Sequence, residues 1–82
     1  MYDMKALTEV DHLLLDALHK DEWRTRAEIA MHLPPPPDGE LKPLNQYEVQ
    51  RLEGLVASGY VERSERQYTR VRKVYIYRLV GA

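Results

Sequence analysis

The chain has 82 residues, 44% hydrophobic and 30% charged, with a formal net charge of −1 and no cysteine. That length suits a single domain over residues 1–82, and about sixty per cent of the unfolded surface can be buried at a similar size. Without cysteine there are no disulfides, no cysteine-bound zinc and no thiol chemistry. No apolar run approaches the roughly 20 residues that cross a bilayer, and Asp3 near the start, with no signal-type apolar core after it, argues against a secretion signal. A cytoplasmic protein with no membrane partner is expected.

Residues 1–7 read as a lead-in, with Tyr2, Met4 and Leu7 available to fray or tuck against a core. Thr8 followed by Asp11 has the form of a capping box. Val10, Leu13, Leu14, Ala17 and Leu18 then mark an amphipathic first helix of about three turns, and Leu15 widens its apolar arc so that neighbours are expected on two sides. The polar run His19 to Glu22 closes it. Trp23-Arg24 is an extended link with room for a strand of one or two residues. Thr25 with Glu28 forms a second capping box, opening a short helix that buries Ile29, Ala30 and Leu33. Pro34 ends it, because proline disfavours helical geometry in the residue before it.

All five prolines lie in residues 34–43. Four in a row favour polyproline II, and Asp38-Gly39 is a turn signal. Asn45 then caps a third helix, with Glu48 completing a third box. Val49, Leu52, Leu55 and Val56 fall on one face of that helix, and Gly59 sits where a left-handed residue stops it. After the glycine, Tyr60 to Arg66 and Arg72 to Leu79 alternate as strands joined by 67–71. Neither face of the second strand is cleanly polar, so both are expected to be covered in part. Val61 or Tyr60 is expected to meet Tyr77 and Leu79 in the core.

Charge is distributed unevenly. Residues 1–44 carry five basic against nine acidic side chains, whereas residues 45–82 carry seven against four. Arg63, Arg66, Arg70, Arg72 and Lys73 fall close together and are opposed only by Glu65. Phosphate binding depends on such a local patch more than on overall charge; the plainer reading is a solvated hairpin.

Helix, link, helix, turn, helix and a two-stranded hairpin with a basic loop resembles the winged helix-turn-helix domain. The likeness is to small regulators of the MarR, ArsR and PadR types. Thr25-Arg26-Ala27-Glu28-Ile29-Ala30 looks like the start of that family's second helix. Leu55-Val56-Ala57-Ser58-Gly59-Tyr60-Val61-Glu62-Arg63 is similar to its helix-to-wing junction, and Lys73 to Leu79 resembles its last strand. The resemblance implies an α+β winged helix: a three-helix bundle, a C-terminal two-stranded wing and a short extra strand near Trp23. Residues 34–43 stand as an insert where the family has a short turn. Many of these regulators dimerise through further helices beside the wing; with none here, a monomer or weak homodimer is expected.

The resemblance also implies binding to double-stranded DNA, with transcriptional regulation the expected role. The third helix, 46–58, would enter the major groove and the 63–73 wing would meet phosphate. Gln46, Gln50 and Arg51, polar and opposite Val49 and Leu52, are the base-reading candidates, because amides pair with adenine and arginine with guanine. Tyr47 joins them. Arg63, Arg66, Arg70, Arg72 and Lys73 would contact phosphate, helped by the hydroxyls of Tyr68 and Thr69 and by Arg24 and Arg26 at the second helix. Glu48 and Glu53 argue against it, since carboxylates repel phosphate. The competing reading is a winged-helix adaptor that binds protein, through the proline-rich loop, without DNA. No phosphate loop or nucleophile-base pairing suggests an enzyme, no cofactor is implied, and His12, His19 and His32 read as surface groups with no metal site.

Overall fold

Three short polar side chains set where the helices begin. In the computed structural model, which describes residues 7–35, 37–40 and 42–81, Thr8, Thr25 and Asn45 each close a reciprocal capping box. The Thr8 hydroxyl accepts from the Asp11 N–H at 3.2 Å, and Asp11 accepts from the Thr8 N–H at 2.9 Å. Thr25 and Glu28 repeat the exchange at 3.2 and 2.9 Å, and Asn45 and Glu48 at 2.8 and 2.9 Å. Each box satisfies two backbone donors that a helix start otherwise leaves without partners. The helices are α1 (Glu9–Asp16), α2 (Arg26–His32) and α3 (Gln46–Ala57).

Their ends have equally local causes. Leu33 is extended, with ψ 156° before Pro34, and α2 stops there. Gly59 takes φ 87°, which lets the Tyr60 N–H reach the Leu55 carbonyl at 3.0 Å and the Gly59 N–H reach that of Val56 at 3.1 Å. These are the paired bonds of a glycine-terminated helix. The first helix is shorter than the three turns expected. It stops at Asp16, where the last turn tightens and the Leu18 N–H bonds the Leu15 carbonyl at 3.2 Å; beyond it Arg24 Nη1 bonds the Ala17 carbonyl at 2.7 Å, and the Leu79 N–H bonds that of His19 at 3.1 Å.

The strands are β1 (Arg24–Thr25), β2 (Val61–Gln67) and β3 (Lys73–Leu79), in the order β1-β3-β2 and antiparallel throughout. The short strand expected near Trp23 therefore lies one residue later and pairs with β3, Arg24 opposite Tyr77 and Thr25 opposite Ile76. Leu14, Ile29, Leu52, Leu55, Val61 and Tyr77 are buried together in one core, with Ala17 and Leu18 beside them. Burying one such aliphatic side chain is worth about 1.5–3 kcal/mol. Leu79 and Tyr60 pack at its margin, and Ile76 is buried on the opposite face of β3, so both faces of that strand are covered.

Of the proline-rich segment, Pro36 and Leu41 lie outside the described residues, and so do Tyr2 and Met4 of the lead-in. The expected turn at Asp38-Gly39 is present: Gly39 has φ 75°, Asp38 accepts from the Glu40 N–H at 3.1 Å, and Lys42 pairs with Asp38 at 3.2 Å. Leu7 packs against the core. Among the described residues the protein is an α+β fold of three helices and a three-stranded antiparallel sheet, a layout compatible with a winged helix. No helix among them is long and apolar enough to cross a membrane.

Candidate nucleic-acid interface

The arginines divide into two groups by what their guanidinium groups touch. Arg51 turns inward from α3 to α1, where Nε bonds Asp11 Oδ1 at 2.8 Å and Nη2 bonds Oδ2. Asp11 is fully buried, and the bond from Arg51 holds its carboxyl below the usual range against the opposing effect of burial. A buried carboxylate needs that counter-charge. Arg51 is thus engaged in the fold; the other three base-reading candidates, Gln46, Tyr47 and Gln50, are exposed along α3.

Arg24 is likewise engaged. Its side chain is only 15% exposed, bonding the Ala17 carbonyl and pairing with Glu22 at 3.3 Å. Arg26 and Arg63 converge on Glu53. That carboxylate accepts from the Tyr77 hydroxyl at 2.5 Å and from Arg26 at 3.4 Å, and it pairs with Arg63. Arg26 Nε also bonds the Tyr77 oxygen at 3.1 Å, and Arg63 lies over the Tyr75 ring at 4.6 Å. Burial opposes the Arg26 charge, but its bonds to Tyr77 and Glu53 raise its pKa above the ordinary value. Burial, then the bond to Glu53, pushes the Tyr77 hydroxyl up to about 12. This knot joins α2, α3, β2 and β3. The two carboxylates that weigh against DNA both have occupations, Glu48 in its cap and Glu53 among two arginines and a tyrosine.

The second group sits on the outer hairpin. After Glu62 the side chains of β2 are exposed, and Arg66, Tyr68 and Lys73 of the hairpin face the start of α2 across a cleft. The hairpin turn is closed by Tyr68 and Thr69 N–H bonds to the Arg72 carbonyl, at 2.9 and 3.1 Å. The Thr69 hydroxyl accepts from the Val71 N–H at 3.4 Å. Tyr68 is 68% and Val71 95% exposed. Arg66, Arg70 and Arg72 are exposed and make no side-chain hydrogen bond to the described residues; Lys73 reaches Glu65 at 3.7 Å. Glu28 stays below the usual carboxylate range, chiefly because of its cap bond with Thr25, with a smaller contribution from the charge of Arg66.

Because β1 pairs only with Ile76 and Tyr77, the edge of β3 away from β2 has no neighbouring strand from Lys73 to Tyr75 among the described residues. A cleft of about 460 Å³ opens at that step, between Thr25 and Arg26 on one side and Arg66, Tyr68, Lys73 and Tyr75 on the other. Its lining is mostly apolar; Arg26 is already held by Glu53 and Tyr77, so Arg66 and Lys73 are the cations at its rim, with the hydroxyls of Tyr68 and Tyr75 beside them.

Among the described residues no group of histidine, aspartate and glutamate could hold a metal ion; His12, His19 and His32 are exposed, and His19 Nδ1 accepts from the Asp21 N–H at 2.9 Å. Compared with known proteins, the chain matches no family model, no curated protein and no solved structure.

Proposed function

We propose that this chain is a winged-helix protein that binds double-stranded DNA, most simply as a transcriptional regulator acting in the cytoplasm by occupancy or recruitment, without catalysis or a cofactor. One observation carries the reading. Three of the eight arginines, Arg66, Arg70 and Arg72, have no side-chain hydrogen bond to the described residues, and all three lie on the outer hairpin beside exposed Tyr68, Thr69 and Lys73. The other five are held by carboxylates, carbonyls or rings of the fold. Unbonded arginines along an exposed hairpin support contact with backbone phosphate, and Gln46, Tyr47 and Gln50 of α3 would supply the groove-reading chemistry.

The test is a titration of mixed duplex fragments at two salt concentrations. Binding should weaken steeply with salt, with a log-log slope of about −0.9 for each phosphate neutralised. Gln50→Ala should flatten the preference among fragments while leaving the slope in place. Salt-independent retention, or none by a folded protein at low salt, would sink the proposal.

A second reading has its own support. Leu13, Ala30, Leu33, Pro34 and Pro43 line a mostly apolar groove of about 300 Å³ beside the proline-rich segment, flanked by Lys42 and Glu48. An adaptor would seat a partner there, and deletion of 35–37 should then abolish capture while DNA affinity is unchanged.

A further inference from the structure

The outer strand of the sheet is β2, and among the described residues nothing pairs with its free edge. Its side chains from Arg63 to Gln67 are exposed. An uncovered edge normally carries charge as a guard against pairing with other chains. Here the guard has an order. Glu62-Arg63-Ser64-Glu65-Arg66 is its own antiparallel complement. With Ser64 opposite Ser64 of a second copy, Glu62 faces Arg66 and Arg63 faces Glu65, each twice by symmetry.

The neighbouring registers are unfavourable. A slip of one residue sets Glu62 against Glu65, or Arg63 against Arg66. A slip of two sets Arg63 against Arg63, or Glu65 against Glu65. Parallel pairing in register places like on like throughout. Directly opposed like charges destabilise a strand pair and opposite ones stabilise it, so the edge permits one close pairing and disfavours its near alternatives.

We propose that two copies of this chain associate through antiparallel β2–β2 pairing centred on Ser64. The contact is isologous and closes at a dimer, extending each three-stranded sheet into a continuous one across the two-fold axis. Charges already paired within the chain fit it. Glu62 bonds Arg78 at 2.6 Å on the β3 side, and Arg66 of the second copy would approach it from the other. Glu65 reaches Lys73 at 3.7 Å and would gain Arg63, whose Nη1 is on Glu53, through that guanidinium's remaining donors. Arg66, which has no hydrogen-bonded side-chain partner among the described residues of its own chain, acquires one. The two hairpin tips then point in opposite directions. This inference does not depend on DNA binding: in the dimer Arg66 serves the seam, and Arg70 and Arg72 remain for phosphate.

The absence of native cysteine makes the test clean. Directly opposed residues in antiparallel strands have Cα atoms about 4.5–5.5 Å apart, within the disulfide range of roughly 4.4–6.8 Å. The 82-residue chain carrying Ser64→Cys should, under mild oxidation, form a covalent dimer on the order of tenfold faster than one carrying Thr69→Cys, another exposed site, at the hairpin tip, because pairing raises the local thiol concentration. At about 1 M salt, which screens the charges, the advantage should shrink. Adding Arg66→Glu to Ser64→Cys should slow cross-linking, and mixing that chain with one carrying Ser64→Cys and Glu62→Arg should restore it in heterodimers. Equal rates for the Ser64→Cys and Thr69→Cys chains, or an Arg66→Glu background that cross-links as fast as its parent, would overturn the proposal.

Discussion

The two ends of the hairpin use the same residue type for opposite purposes. Near the body, Arg63 and Arg26 clasp Glu53, while Arg51 neutralises buried Asp11. At the far end, Arg70 and Arg72 project with no side-chain hydrogen bond to the described residues. A guanidinium that completes a buried pair contributes to stability because its removal strands a charge. One surrounded by water contributes little to folding and remains available to a ligand. Counting arginines in the basic half of the chain therefore overstates the charge left free for a ligand, and their contacts separate the two groups.

The inner group can be broken most severely at Arg51. Arg51→Ala leaves the Asp11 carboxylate buried, with only its Thr8 contacts, and should cost about 3 kcal/mol, the lower end of the range for breaking a buried pair, since Arg51 is itself partly exposed. Urea titration measures this. The sign with pH is fixed by the lowered Asp11 pKa: the pair stabilises the fold above the ordinary carboxylate value of 3.8 and that contribution is lost as pH falls through the folded value. Wild type should therefore lose stability toward acid more steeply than Asp11→Asn. Parallel acid limbs would show that Asp11 is not the group responsible.

Tyr77→Phe is a milder cut in the same region. It keeps the buried ring and removes the hydroxyl that donates to Glu53, leaving Arg26 and Arg63 on the carboxylate. The loss should be about 1.5 kcal/mol, the lower figure for a hydrogen bond to a charged group. Tyr77 has its pKa raised from 10.0 to about 12, so its contribution is complete below 10 and disappears as pH rises through the folded value. Thermal melts across that interval should fall in wild type and stay flatter in the phenylalanine variant.

These inner contacts are also what the sequence does not reveal. The three capping boxes, the Gly59 stop, the Pro34 stop and the alternation of the hairpin are legible because each depends on residues within a few positions of one another. Asp11 reads only as the third residue of a cap, which it is; nothing local signals that Arg51, forty positions away, bonds the same carboxylate. Glu53 looks like an obstacle to DNA because its partners come from α2, β2 and β3 and meet only after packing. The segment after α1 is held by the same kind of distant contact, its Ala17 and His19 carbonyls accepting from Arg24 and Leu79. Among the candidate residues, those at the tip stay exposed as their sequence suggests, because a projecting loop makes few tertiary demands on its side chains.

The smallest expected effect on stability is therefore the most informative about function. Arg70→Ala with Arg72→Ala removes two exposed side chains that carry no hydrogen bond to the described residues, and stability should stay within about 0.5 kcal/mol of wild type. If the tip meets phosphate, the same variant should reduce the salt slope of duplex binding by about 2, close to 0.9 for each phosphate no longer neutralised. Arg63→Ala supplies the contrast: it should lower stability through Glu53 and Tyr75 and alter the slope less. A tip variant that binds DNA with an unchanged slope would place the phosphate contacts elsewhere, while one that unfolds would undo the division between the two arginine groups.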